Sequence, residues 1–556
     1  MKASQDCDVL IVGAGPVGVT IANLLGTYGI RTIVVERSRE ILPYPRAVGM
    51  DDEALRLFQT AGLADRLLDD MVQNVAMRMF DRKGRLFANI RPATREYGWW
   101  RRNIFMQQLA EETLREGLQR FDHVSLRLGE EVTAIHQDDE GVSLEMRDES
   151  GRTTVLRAAF CVGCDGGRST MRELLGVTLQ GKTHAIKWLV VDVLNAEVDA
   201  PYTSLHCDPH RPHVCIHLPF NYRRWEFMVF AGEDEDALVS DASVRKLLAP
   251  YIADPSAVEV VRARIYTHHS RVADRFVVGR ALLAGDAAHL SPPWIGQGLN
   301  IGLRDAGNLA WKLAMLVRHG GRVDEVLASY ASERRDHAKE MIDLADTFGR
   351  LLMPTNRWLA WARDVFFGSV ARLPNVRNYV LQMRFKPMPR YRRGLVVLPS
   401  QMAPDSAVGR MLIQPDVEVA PAQREKLDTV LGTGFALLGW RCDPQQSMHA
   451  ETIAAWRRLG ARFICVERSR SGSRHHRMVR DNGTLCVEDV DNALADWFQG
   501  QGKAIAIVRP DRYVAALADR DEIDATCSQF MALFCSPNGA RALPGHVPQW
   551  CDAAAA

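Results

Sequence analysis

No stretch of this chain is apolar for long enough to cross a membrane. Every hydrophobic run falls short of the ~18 residues that a spanning helix needs, so no membrane partner is expected. Charge of one sign is lacking as well. With 69 Lys and Arg against 68 Asp and Glu the formal charge is +1, which gives no electrostatic footprint for nucleic acid or an anionic surface. The start MKASQDCDVL carries neither a basic nor an apolar segment ahead of the first strand-like run, so no secretory leader is expected and the cytoplasm is the expected location. There is no internal repeat, and no low-complexity tract beyond the closing alanines. Cysteine is present but unorganised. The eleven are scattered, several in apolar runs such as those around Cys161 and Cys465, which suits reduced, buried thiols better than a disulfide framework. Cys161-Val-Gly-Cys164 has redox or half-zinc spacing, yet no second pair or histidine cluster stands at metal-site spacing, and no metal is expected.

What is there is most concentrated in VLIVGAGPVGVTIANLLGTYGIRTIVVER, residues 9–37. The apolar run Val9 to Val12 reads as a buried strand, Gly13-Ala-Gly15-Pro16-Val-Gly18 opens an apolar helix, and a second strand, Thr32 to Val35, ends in Glu36 and Arg37. Each part has a physical task in holding a dinucleotide. Gly13 permits a tight turn, Gly15 lets the backbone approach a pyrophosphate, and Gly18 lets helix pack closely on strand. Free N–H groups at the helix start face phosphate charge, and Glu36 can accept from ribose hydroxyls.

At 556 residues, with 47% hydrophobic and 25% charged content, the chain reads as an ordinary globular protein of about three to four domains. Residues 103–120 predict an amphipathic helix capped by Asn103, and 123–165 predict several strands with a turn at 139–141. From 183 to 275, alternating aromatic and β-branched residues predict a separate antiparallel sheet. An apolar strand near 276–286 and a long helix from Leu299 to His319 follow. Residues 322–385 read as helical, with Trp358, Trp361, Phe366 and Val370 expected in core or subunit contacts rather than on a membrane surface. Lys386 to Pro399 reads as a linker, and beyond it FALLGW, ARFICVE and AIAIVRP predict strands, with helices near 448–459 and 489–499.

Two further segments point to a family. Asp165-Gly166-Gly-Arg168-Ser169-Thr-Met-Arg172 resembles the DG motif of the class A flavoprotein aromatic hydroxylases. Gly279-Arg280-Ala-Leu-Leu-Ala-Gly285-Asp286-Ala-Ala-His289, with the loop Pro292-Pro293-Trp294-Ile-Gly296-Gln-Gly298-Leu299-Asn300, resembles their GD motif. Within that family the segments starting at Tyr44, Cys207, Glu333 and Met383 are similar to the 3-(3-hydroxyphenyl)propionate hydroxylases, which also accept 3-hydroxycinnamate. The resemblance spans residues 5–520. It implies an α/β fold: a Rossmann-like FAD-binding domain (1–75, 100–182 and 276–345), an inserted antiparallel-sheet substrate domain (76–99 and 183–275), a helical connection (346–395), a thioredoxin-like domain (396–520) and a tail (521–556). It further implies FAD, reduced nicotinamide (NADH in that family), O2, and hydroxylation of a phenolic acid ortho to its hydroxyl. A homodimer is a candidate assembly.

Carried over by resemblance, Gly13, Gly15, Pro16, Gly18, Glu36 and Arg37 serve the ADP half of FAD. Arg46 and Gln107 match flavin-contacting positions, and Asp165 and Arg172 match positions tied to FAD and nicotinamide use. Gly285 and Asp286 serve the ribityl chain, while Pro293, Gly296, Gly298, Leu299 and Asn300 form the loop at the flavin ring. A phenol becomes a stronger carbon nucleophile on losing its proton, so an acceptor is expected beside it; Tyr266, His268, His206 and His289 are the candidates, none singled out by the sequence. A carboxylate tail wants an arginine fork, for which Arg211 and then Arg224 stand first, with Arg223 beside them. Trp294 could wall the aromatic pocket. Three other readings stay open: a sibling hydroxylase of resorcinol or polyketide type, a flavin halogenase, whose WxWxIP motif is absent here, and a non-catalytic redox-sensing flavoprotein.

Overall fold

A computed structural model describes residues 5–370, 388–468 and 479–535. Val9–Val12 is buried at every position, as a central parallel strand must be. It pairs in parallel with Thr32–Glu36 on one side and Phe160–Gly163 on the other. Val124–Leu128 extends the first side and Ala281–Leu283 the second, with Val277–Val278 antiparallel at the edge. The helices Pro16–Thr27 and Gly298–His319 pack against each other beside this six-stranded sheet.

The aromatic and β-branched stretch forms an eight-stranded sheet dominated by two long strands, Leu179–Leu194 and Glu259–Ala273, paired antiparallel. Tyr222–Val229, His213–His217 and Thr203–His206 continue it outward. Met77–Phe80 then joins in parallel with Thr203–His206, bringing Leu86–Ile90 with it. At the opposite edge His289–Leu290 pairs with Glu259–Ala273, so this sheet is stitched to the segment that follows the GD motif.

The helix expected over 103–120 begins later. Asn103–Phe105 is a strand between Gly49–Met50 and Met71–Gln73, and the helix is Gln107–Gly117 with Met106 at its N-cap. The apolar Ile104 and Phe105 favour burial in a three-stranded sheet over a solvated first helical turn, and Asn103 donates to Trp100 and Met50 carbonyls instead of capping. The region 322–385 is helical over Val323–Leu352 and Arg357–Val370, with Pro354 in the break between them; the first of these helices runs through position 345 without interruption. Residues 371–385 of that expectation, and the side chain of Val370, lie outside the described residues. Trp358, Trp361 and Phe366 are 67%, 50% and 56% exposed, so they do not belong to the core of this chain.

Of the expected linker, 388–399 is described and is not loose. Tyr391, Leu395 and Val396 are buried, and the Leu395 N–H donates to Glu333. The C-terminal module is a mixed seven-stranded sheet. Ala436–Trp440, Arg462–Arg468 and Leu485–Asp489 run parallel, and antiparallel strands flank them: Ile505–Val508 and Val514–Ala518 on one side, Asp416–Ala420 and Gln423–Lys426 on the other. A buried ionic cluster ties this module to the rest: Glu333 takes both terminal nitrogens of Arg509 at 2.8 Å and Lys312 Nζ at 2.8 Å. Among the described residues no helix is long and apolar enough to cross a membrane.

Candidate active site

The glycine turn follows from hard contacts. Gly13 has φ +105°, and a Cβ there would lie 2.5 Å from the Cys164 carbonyl oxygen; at Gly18 it would lie 2.0 Å from the Gly13 oxygen. At Gly15 a Cβ would meet nothing within 4 Å. The first and third glycines are therefore needed by the protein's own packing, while the second faces open space that a ligand can approach. The helix Pro16–Thr27 has no side-chain cap, nor has Gly298–His319, whose first turn borders the same cavity. Two sets of helix-start N–H groups are thus left for an anionic ligand. Glu36 accepts from the Ala14 and Ser38 N–H groups at 2.8 Å each, which fixes the carboxylate at the strand end; Arg37 beside it is exposed.

A cavity of about 470 Å³ runs between the nucleotide-binding sheet and the eight-stranded sheet. Gly15, Pro16, Arg46, Gln107, Gly285 and Asp286 line one part, with Pro293, Trp294, Gly296, Gly298, Leu299 and Asn300. Arg46 Nη2 stands 3.9 Å from Asp286 Oδ2, both half-exposed to the void. Gln107 is occupied in shaping the wall: its Oε1 accepts from the Arg46 and Ala47 N–H groups, and its Nε2 donates to Glu111 at 2.7 Å. Asn300 likewise spans the seam, accepting from the Asp51 N–H and donating to the Gly49 and Gly296 carbonyls.

The other part is aromatic and apolar. Trp188 and Trp294 meet edge to face at 4.9 Å, and His268 lies beside the pair, stacked on Trp188 and edge-on to Trp294. Trp294 packs so closely on Gly349 of the long helix that a Cβ there would fall 2.5 Å from its Nε1. Burial, with His184 and His269 nearby, lowers His268 to about 4, so its imidazole is neutral at pH 7. Its buried Nδ1 has no hydrogen-bond partner.

Arg262, which sequence reasoning passed over, also lines this cavity. Its guanidinium lies over Tyr44, 3.7 Å from the ring centroid, and 5.1 Å from that of Tyr266. Its Nη1 and Nη2 are buried without hydrogen bonds, and its contact with Asp192 is 3.8 Å, too long for one. Asp192 is already forked by Arg224 at 2.7 and 3.0 Å, so two buried guanidiniums share a single close carboxylate. Glu226, in the same lining, is pushed upward by burial, with Arg224 opposing. The signal for Arg262 was available: Arg262, Arg264, Tyr266 and His268 alternate along one strand and so share a face.

The FAD binding domain family matches residues 6–345 and the HcaD C-terminal domain family residues 409–533. A 3-(3-hydroxy-phenyl)propionate/3-hydroxycinnamic acid hydroxylase of Burkholderia cenocepacia (strain HI2424) is 59% identical, covering 96% of this chain and 98% of that one. The chain belongs to the FAD-dependent aromatic hydroxylases. A relative of the same name from Comamonas testosteroni is 42% identical, over 96% of this hydroxylase and 98% of its own length. Among solved structures, the OxyS anhydrotetracycline hydroxylase from Streptomyces rimosus superposes with TM-score 0.73 at 26% identity, covering 96% and 99% of the two chains. Aklavinone-11 hydroxylase, solved with FAD and aklavinone, shares the fold at TM-score 0.76 and 23% identity, covering 96% and 99%. The open face at Gly15, the two uncapped helix starts and the polar rim of Arg46 and Asp286 fit FAD in this hydroxylase.

Several expected site residues are placed elsewhere. Arg211 is not in the cavity lining; it forks Glu233 at 2.6 and 2.9 Å and donates to the Met228 carbonyl. Arg224 does border the cavity, but it spends its donors on Asp192 and the Pro45 and Arg46 carbonyls, pinning the 44–47 loop to the sheet. Arg223 donates to the Val198 and Ala200 carbonyls. His289 is buried outside the cavity, 2.6 Å from Asp305, which also accepts from Arg334 at 2.9 Å. His206 stacks with His213 at 4.2 Å, away from the lining. Asp165 and Arg172 lie behind the wall. Asp165 holds Ser169 Oγ and the Met171 N–H, while Arg172 donates to the Gly167 and Ala287 carbonyls. Of the four acceptor candidates, Tyr266 and His268 reach the cavity.

Proposed function

We propose that this hydroxylase converts 3-(3-hydroxyphenyl)propionate, and 3-hydroxycinnamate, to the 2,3-dihydroxy product with NADH and O2. The observation that carries the reading is the 59% identity, over nearly the whole of both chains, to a hydroxylase named for those two acids. The cavity supports it. The wall made by Trp188, Trp294 and His268 offers aromatic surface to a substrate ring, and Arg262, whose terminal nitrogens make no hydrogen bond, supplies a cation for the side-chain carboxylate, which would be costly to bury unpaired. FAD, when bound, supplies the reduction of O2 and the oxygen delivered to the ring. The chain's part is to orient and shield. Gly13, Gly15, Gly18 and Glu36 hold the adenosine and phosphate end, with Arg37 outside. Arg46, Asp286 and the Pro293–Asn300 segment hold the ribityl chain and ring. Neutral His268, with Tyr266 beside it, accepts a hydrogen bond from the phenol and raises electron density at the ortho carbon. Asp165 and Arg172 act by setting the loop between the nucleotide strand and the GD segment.

The test is a panel of phenols scored for stimulated NADH oxidation, oxygen uptake and product mass, with NADPH run alongside. Stimulation by the two acids, with label from 18O2 in the product, is expected. Stimulation by resorcinol or a polyketide phenol alone would move the assignment to a sibling hydroxylase, and none by any phenol would favour a non-catalytic flavoprotein. The exposed face carrying Trp358, Trp361 and Phe366 supports, in our reading, a contact with a second copy of the chain, to be checked by sedimentation of the wild type and Trp361→Glu.

A further inference from the structure

Burial pushes most thiols of this chain up and leaves them inert. Cys7, Cys207 and Cys527 are each raised to about 12, and Cys161 and Cys164 of the CxxC segment are raised as well. Two cysteines of the C-terminal sheet stand apart. Cys465 on Arg462–Arg468 and Cys486 on Leu485–Asp489 are direct partners in parallel register, so their side chains leave the same face. Neighbouring strands lie ~4.8 Å apart, inside the ~4.4–6.8 Å window of Cα separations that a disulfide spans. One guanidinium bridges the pair: Arg480 Nε is 3.3 Å from Cys486 Sγ and Arg480 Nη2 is 3.4 Å from Cys465 Sγ. Among the described residues, the other charged groups in contact with this guanidinium are Glu467, 3.3 Å from Arg480 Nη2, and Asp443, 3.8 Å from its Nη1. Cys465 is fully buried and Cys486 partly exposed, so the two differ in access.

We propose that Cys486 and Cys465 are a peroxide-oxidisable dithiol, with Arg480 holding Cys486 as the attacking thiolate. The hydrogen bond from Cys465 lowers Cys486 to about 6 against the opposing effect of burial, and Arg480 adds to the lowering. The buried partner moves the other way. The oxidant is hydrogen peroxide. Cys486 sulfur attacks one peroxide oxygen, the O–O bond breaks, and hydroxide leaves and is protonated to water, giving the sulfenic acid. Cys465 then attacks that sulfur and loses its proton. The S–O bond breaks, a second water leaves, and a disulfide joins the two strands. Two thiols are oxidised by two electrons and one peroxide is reduced to two waters. The site lies in the C-terminal module, so it is independent of which phenol the enzyme takes.

The experiment uses the full-length, FAD-loaded enzyme. At pH 7 Cys486 is expected to alkylate about tenfold faster than the exposed Cys535, and Arg480→Met to slow it by about tenfold. After limited hydrogen peroxide and alkylation, peptide mapping should show the Cys465 and Cys486 peptides joined, lighter by two hydrogens. Cys465→Ser should leave Cys486 as a sulfenic acid that dimedone captures, with FAD content and thermal midpoint confirming that the variants fold. Alkylation of Cys486 no faster than that of Cys535 would overturn the proposal. So would peroxide that leaves both thiols free, or that carries Cys486 to the sulfinic acid with no joined peptide.

Discussion

Arg262 lies face-on over Tyr44 with its guanidinium carbon 3.7 Å from the ring centroid, and its terminal nitrogens are buried without hydrogen bonds. A cation so placed has its orientation fixed by the ring while its donors stay available. Replacing Arg262 by Met should raise KM for the phenolic acid by about 10–100-fold, the worth of a charge-assisted pair, and leave a neutral phenol analogue within about threefold. Arg211→Ala is the control. Because Arg211 is forked to Glu233 outside the cavity, its loss should leave the acid's KM unchanged. The reverse result, a selective rise for Arg211→Ala alone, would return the carboxylate to the 207–212 loop.

Three histidines give the folded enzyme an acid liability. Burial is the first cause in each: His268 and His213 fall to about 4 and His206 to about 3, from an ordinary 6.5. These groups are neutral when folded, so between pH 6.5 and 4 the unfolded chain binds more protons and stability rises with pH. The contribution is complete above about pH 6.5 and is lost as pH falls toward 4, on the order of 3 kcal/mol per histidine. Calorimetry of the FAD-loaded enzyme at pH 7 and pH 5 should show a lower midpoint at pH 5. Equal midpoints would mean that the imidazoles are not desolvated as described.

The nucleotide-binding half was legible because its requirements are local. Gly13 is demanded by its own positive φ and Gly18 by the Gly13 oxygen within the same turn, and Glu36 closes the adjacent strand, so short-range spacing carried the message. The substrate end was read less well. Arg211 stands first for the carboxylate in the sequence, but its partner Glu233 lies 22 positions on and across a turn. The buried His289, Asp305 and Arg334 come from three separate segments, so the sequence offers His289 both as a packed, hydrogen-bonded core histidine, which it is, and as an acceptor candidate. Asn103 failed as a cap because strand partners near 49–50 and 71–73 competed for it, contacts that no local propensity describes. Arg262 was within reach from strand alternation alone, once Tyr266 and His268 had been noticed.

Asp286 stands half-exposed at the cavity rim, 3.9 Å from Arg46 Nη2. Hydroxyls of a bound ribityl chain would find in it an acceptor, and removing it leaves donors unpaired at about 1–3 kcal/mol. Asp286→Ala should therefore purify with less FAD and show roughly 5–100-fold weaker rebinding by flavin fluorescence quenching. Full occupancy at unchanged affinity would place the ribityl chain elsewhere.

The most severe loss of stability is expected at Glu333, far from the reacting ring. Its carboxylate is fully buried between Lys312 and Arg509, with Asn308 Nδ2 at 2.6 Å. Although burial alone would raise it, Arg509 and Lys312 outweigh that effect and hold Glu333 down at about 2. Burial lowers Lys312 to about 8 even with Glu333 supporting its charge. Glu333→Ala would take the close anion from buried Lys312 and leave Arg509 with Asp511 alone, and breaking such a cluster from one side costs about 3–5 kcal/mol. The seam between the helix Val323–Leu352 and the C-terminal sheet should weaken first, because Arg509 reaches Glu333 from that sheet. Calorimetry of the variant should show a C-terminal transition separating below the main one, and limited proteolysis should cut between 388 and 416 before the nucleotide-binding half. A single transition shifted by less than about 1 kcal/mol would mean that solvent reaches the cluster and screens it.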